Sequence, residues 1–187
     1  MSSPLPPAPL PPAPLWLTSA LYYAAWFLCV GLAARGHPWL AALSHALFGL
    51  WVIASSPGPR AHLYGALTWA LGGYVIDSAL TLIGVIRFPP TSLALGPSPM
   101  WMVSLWFTFG ALLSAPLRSL LTRPALAVAL GAIGGPVSYM GGARTGAMEV
   151  LWSAPLTAAT LGAVWAGVMW GAARAWGGRG GSGGLDE

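Results

Sequence analysis

Lysine is absent from this chain, and carboxylates nearly so: 187 residues hold eight arginines and four Asp or Glu. Charged residues make up only 6% and hydrophobic ones 56%, whereas soluble domains carry about 25% charged residues. With a mean hydropathy of +0.70, the composition is that of a multi-pass membrane protein. The pI of 9.8 does not indicate a nucleic-acid partner, because the arginines stand singly at segment ends rather than in a basic patch. One cysteine, Cys29, excludes an intrachain disulfide and a multi-cysteine metal site. Phe27-Leu28 precede it, so there is no lipobox. The three histidines (His37, His45, His62) lack paired metal spacing, and no zinc, nucleotide, haem or serine-nucleophile motif is present. No cofactor and no metal are expected.

What the chain does contain is apolar segments between two low-complexity tails. Residues 1–14 form a Pro-rich leader in which LPPAP occurs twice, a pattern that favours extended polyproline II. Its lack of a basic n-region argues against a secretory signal. Residues 177–187, GGRGGSGGLDE, read as a flexible tail. Between them the expected fold is an all-α membrane domain over 15–176, with six transmembrane helices at about 15–34, 38–54, 61–86, 100–117, 124–143 and 147–173. Pro38 and Pro124 fall at or near first helical positions, where the missing N–H costs nothing. The glycine-rich run GAIGGPVSYMGGARTGA predicts a kink in the fifth helix at Gly134–Pro136. Six spans place both termini on one side. That side holds five arginines (Arg60, Arg118, Arg123, Arg174, Arg179) and the other three (Arg35, Arg87, Arg144), so both termini are expected in the cytoplasm.

Within this frame Asp77 stands out as the lone formal charge in the run Ala61–Ile86. At ~1.5 Å rise per residue, the ten steps to Arg87 would bury it ~15 Å below the helix end, near the centre of a ~30 Å hydrocarbon core. An intramembrane carboxylate is by default a site hypothesis. Asp77 and His45, on neighbouring spans, are the candidate catalytic pair, since a carboxylate beside an imidazole can shuttle a proton. The plainer alternative is that each satisfies the other, or that His45 bonds a backbone carbonyl. Tyr139, Arg144, Arg87 and Glu149 are candidate substrate-binding groups near the outer end. Guanidinium forks match phosphate or carboxylate oxygens, against the plainer reading of an Arg144–Glu149 ion pair and a snorkelling Arg87. Gly131/Gly135 and Gly167/Gly171 form GxxxG pairs suited to close packing or to a homo-oligomer. Trp16, Trp39, Trp101 and Trp176 are placed as an interfacial belt; Trp51, Trp69, Trp106, Trp152, Trp165 and Trp170 lie deeper or near the opposite interface and suit lipid-facing or core packing, or an acyl-chain groove.

The stretches MWMVSLWFTFGALL (Met100–Leu113) and GGPVSYMGGARTGA (Gly134–Ala147), with Asp77-Ser78, resemble a family of small bacterial inner-membrane proteins classed as a domain of unknown function. The resemblance covers roughly residues 15–175 and implies a link to membrane lipid metabolism or envelope stress, its members being often encoded near fatty-acid-modifying enzymes. It supplies no established catalytic residues. The leading expectation is therefore a protein of the bacterial inner membrane that binds a lipid or lipid-like substrate, with a protonatable pocket in the outer half of the bilayer. A small proton-coupled transporter and a non-catalytic scaffold are the alternatives, and whether it is an enzyme stays open.

Overall fold

The computed structural model describes residues 14–90 and 96–176. The LPPAP repeat and the glycine-rich tail lie outside the described residues, as does the side chain of Trp176. The described chain is helical almost throughout: α1 Leu15–Ala34, α2 Pro38–Ala54, α3 Pro59–Leu82, α4 Met100–Ser114, the short α5 Arg118–Leu121, α6 Pro124–Thr145 and α7 Ala154–Trp176, with strands β1 Ile86–Arg87 and β2 Glu149–Val150. All six long helices start within one residue of a proline: Pro14 and Pro99 just before α1 and α4, Pro38, Pro59 and Pro124 as first residues, and Pro155 as the second residue of α7. A fixed φ and a missing N–H suit the first turn, where that donor has no helical partner. Three helices, α1, α6 and α7, are long and apolar enough to cross a membrane. The apolar α2 and α4 are shorter, at 17 and 15 residues.

Three apolar runs overshoot their helices, the one at 100–117 because α4 already ends at Ser114. α3 stops at Leu82, not Ile86, because Gly84 takes φ 75° and turns the chain. The Gly84 and Val85 amides then bond back to Thr81 (3.1 Å) and Leu80 (2.9 Å), closing the helix end. α6 ends in the same way at Gly146 (φ 85°), whose amide and that of Ala147 reach Ala143 and Gly142. Residues 147–153 are therefore not the start of α7. They carry β2, which pairs antiparallel with β1 in the register Ile86–Val150 and Arg87–Glu149. Val85, Ile86, Ala147 and Met148 are apolar because this small sheet caps one end of the bundle and buries them. An apolar run alone does not distinguish buried cap from buried helix.

The helices do not pack in chain order. α4 lies between α2 and α3, which barely touch each other, and α1 flanks α2. α6 and α7 form a hairpin joined to the rest through large side chains. The expected kink region is continuous helix, since α6 runs unbroken through Gly134, Gly135 and Pro136. Pro136 cannot bond the Ala132 carbonyl. That oxygen is covered instead by the α7 backbone at Gly162, where a Cβ would lie only 3.1 Å from it.

Glycines seat aromatic rings throughout. A Cβ added at Gly73 would fall inside the Trp106 ring, one at Gly135 inside the Trp165 ring, and one at Gly110 2.5 Å from Trp69. The three indoles form a ladder across α3, α4 and α7: Trp69–Trp106 at 6.2 Å and Trp106–Trp165 at 4.6 Å, both stacked. Trp16 and Trp39 are exposed as a belt requires, whereas Trp101 is fully buried beneath the cap. Gly73→Ala is expected to destabilise the protein by roughly 1–3 kcal/mol through overpacking. Gly72→Ala, with nothing within 4 Å, should leave stability unchanged or slightly raised. Thermal unfolding in detergent checks the pair.

Candidate functional site

Asp77 is fully buried, and its carboxylate bridges three helices. Oδ2 accepts a hydrogen bond from Trp106 Nε1 of α4 at 2.9 Å. Oδ1 accepts one from the Tyr139 hydroxyl of α6. Because α3 ends at Leu82, Asp77 sits five residues, or about 7.5 Å, from the helix terminus, about half the depth that the apolar run implied. A carboxylate removed from water needs such donors, since an unpaired buried charge is costly.

His45 is not part of this group. α4 stands between its helix and α3, and the imidazole packs between Tyr22 (ring centroids 5.7 Å apart) and Phe48 (6.3 Å). Neither ring nitrogen has a hydrogen-bond partner among the described residues. Only its backbone oxygen is engaged, by Thr108 Oγ1 at 2.8 Å.

The charges near the β1–β2 cap pair differently from expectation. Glu149 bonds Arg87 across the β1–β2 sheet rather than Arg144, and both members are largely exposed. Strand register places these two side chains opposite each other, while Arg144 lies in the last turn of α6, before the Gly146 turn. Arg87 caps no helix, and Glu149 precedes α7 rather than opening it. Arg144 is exposed and forms no ion pair among the described residues.

Beside the Asp77 group lies a cavity of about 50 Å³, walled by α1, α4, α6, Met148 and Trp165 of α7, room for a few water-sized groups. Asp77 does not line it, whereas Tyr139 and Trp106 do. The carboxylate thus acts from behind, holding the phenol and the indole in place. Trp101 and Trp165 also line this space, and their indole N–H groups are buried with no partner among the described residues. Tyr139 and Trp106 spend their single protons on Asp77, so the Trp101 and Trp165 N–H groups are the cavity donors left without an acceptor among the described residues. A groove of about 190 Å³ continues from it between α1 and α6, sharing Tyr22, Phe109, Ser138 and Trp165 and lined further on by Gly131, Gly134 and leucines. Trp106 was not among the candidates read from the sequence. An indole in an apolar helix signals core or belt, and nothing local shows that its N–H meets a carboxylate 29 positions away.

Asp77→Asn can keep both contacts, its oxygen accepting from Trp106 and its amide donating to the Tyr139 oxygen. It is expected to fold with near-native stability. Asp77→Leu strands two buried donors and should cost roughly 2–6 kcal/mol. His45→Leu removes a buried polar ring without breaking a side-chain hydrogen bond, so its melting temperature should match or exceed that of the wild type. Thermal melts of the three variants check this.

No curated protein matches the chain, and neither does any solved structure. A family described as "Protein of unknown function (DUF2878)" matches residues 15–171, a span that takes in the Asp77 group, the cap and most of α7. The chain belongs to that family.

Proposed function

We propose that this protein binds a membrane lipid by its acyl chain and carbonyl end. The observation that carries the reading is the donor-rich cavity at the head of an apolar groove. Trp101 and Trp165 line the cavity with buried N–H groups that have no partner among the described residues; the groove between α1 and α6 is apolar and glycine-thinned. An ester or carboxyl oxygen supplies the acceptor that these donors lack. The attached chain lies in the groove, where each methylene taken from water adds about 0.8 kcal/mol. A pocket that is mostly apolar with a few convergent polar groups is the common form of a small-molecule site.

In this reading the six long helices cross the bacterial inner membrane with both termini in the cytoplasm, and the Asp77 group lies in the outer half of the bilayer. Asp77 is a positioning residue that sets the direction of the Tyr139 hydroxyl and can take up a proton when the ligand's oxygen changes charge. Arg144, exposed at the same end of α6, is within the headgroup layer and free to meet a phosphate. A link to lipid modification follows from the ligand class; the reaction, if the protein performs one, lies beyond the binding step.

Native mass spectrometry of co-purified lipid tests the proposal. Trp101→Phe is expected to lower lipid occupancy about tenfold, the equivalent of one hydrogen bond of ~1.4 kcal/mol. Ser138→Trp, which fills the junction of cavity and groove from the exposed side of α6, should abolish it. Equal lipid retention in wild type and both folded variants would rule the site out.

A further inference from the structure

A second pair of cavities lies at the opposite end of the bundle, where α2 ends, α3 begins and α4 gives way to α5. They measure about 300 and 480 Å³ and share His62, Ser114 and Arg118. The first adds Thr18, Ser55 and Ser56. The second adds Tyr64, Thr68 and Trp69. The larger is within the size range of ligand sites in general.

The electrostatics of this end are one-sided. Arg118 makes no ion pair and no side-chain hydrogen bond among the described residues, and no carboxylate lines either cavity. The two described carboxylates are committed elsewhere, Asp77 to Trp106 and Tyr139, Glu149 to Arg87. His62 donates Nε2–H to the Pro57 carbonyl at 2.8 Å, which leaves Nδ1 on the other edge of the ring as an acceptor for the P–OH of a singly protonated phosphate ester. Serine and threonine hydroxyls complete the lining, and those of Ser56, Thr68 and Ser114 already donate to helix carbonyls, so their oxygens have lone pairs but no spare proton. The guanidinium of Arg118 therefore provides the main uncommitted donors, and its planar fork fits a tetrahedral oxyanion bidentately. Tyr64, Trp69 and Leu121 give the larger cavity an apolar wall.

We infer that these joined cavities form an anion site centred on Arg118 that takes a phosphate ester, with His62 as its second contact. The inference does not rest on the lipid site at the other end. Two sources share this chemistry, the headgroup of an anionic phospholipid and a soluble phosphate compound, and the test separates them.

The full chain is placed in nanodiscs and followed by intrinsic tryptophan fluorescence, since Trp51 and Trp69 line the cavities. One arm titrates inorganic phosphate and glycerol 3-phosphate into phosphatidylcholine discs; the other compares discs with increasing phosphatidylglycerol. A saturable change in the first arm identifies a soluble phosphate compound, and one confined to the second identifies a lipid headgroup. In either case Arg118→Gln should weaken binding at least tenfold and His62→Ala severalfold, with Arg123→Gln unchanged. Binding should also fall as salt is raised. Arg118 is exposed, so its replacement leaves the fold intact, which circular dichroism confirms. Absence of a saturable change with every probe overturns the inference, as does a response of equal strength in wild type, Arg118→Gln and His62→Ala.

Discussion

A carboxylate buried in an apolar bundle must be hydrogen-bonded, and around Asp77 that requirement organises the molecule. Its two donors come from α4 and α6, so the charge ties together elements that are distant in sequence. Trp106 carries the larger part of this coupling. Its N–H serves Asp77, one face rests where Gly73 has no side chain, and its ring stacks between Trp69 and Trp165. A change at Trp106 would therefore disturb a hydrogen bond, a glycine seat and two aromatic contacts together. The α6–α7 hairpin, which has few backbone approaches to the other helices, depends on these side-chain contacts for its position.

The scarcity of carboxylates acts at both ends of the bundle. Beneath the β1–β2 cap, the Trp101 and Trp165 N–H groups border a small cavity with no partner among the described residues, while Trp106 and Tyr139 donate to Asp77 behind it. At the other end, Arg118 faces two larger cavities that no carboxylate lines. Both places suit a molecule that brings oxygen atoms, carbonyl in one case and phosphate in the other.

Much of the architecture was legible along the chain, because prolines act locally. The helix starts at Pro38 and Pro124 were read from the sequence, whereas the stops that Gly84 and Gly146 impose on α3 and α6 were not, since the apolar run continues past Gly84 and a glycine alone does not declare a positive φ. The apolar runs misled where hydrophobicity reported burial rather than helix, as at Val85-Ile86 and Ala147-Met148. The GxxxG at Gly131/Gly135 does mark close packing, but what it receives is Trp165 and Met169 of α7 from the same chain; Gly167 and Gly171 have nothing within 4 Å. Pro136 reads as a helix breaker, yet α7 at Gly162 shields the carbonyl it leaves unpaired.

Sequence by itself determined that the chain is helical and apolar, and that Asp77 is a charge out of its usual solvent, since composition, period and local backbone preference decide those things. Partner choice belonged to the tertiary structure alone. Chain order suggested His45 as the neighbour of Asp77, but α4 inserts between their helices and substitutes Trp106, with Tyr139 arriving from α6. Arg144 and Glu149 are close in sequence, yet strand register gives Glu149 to Arg87. Hydrogen bonds form over about 3 Å, and which groups come that close is set by how whole helices pack, a property that no local stretch of residues encodes.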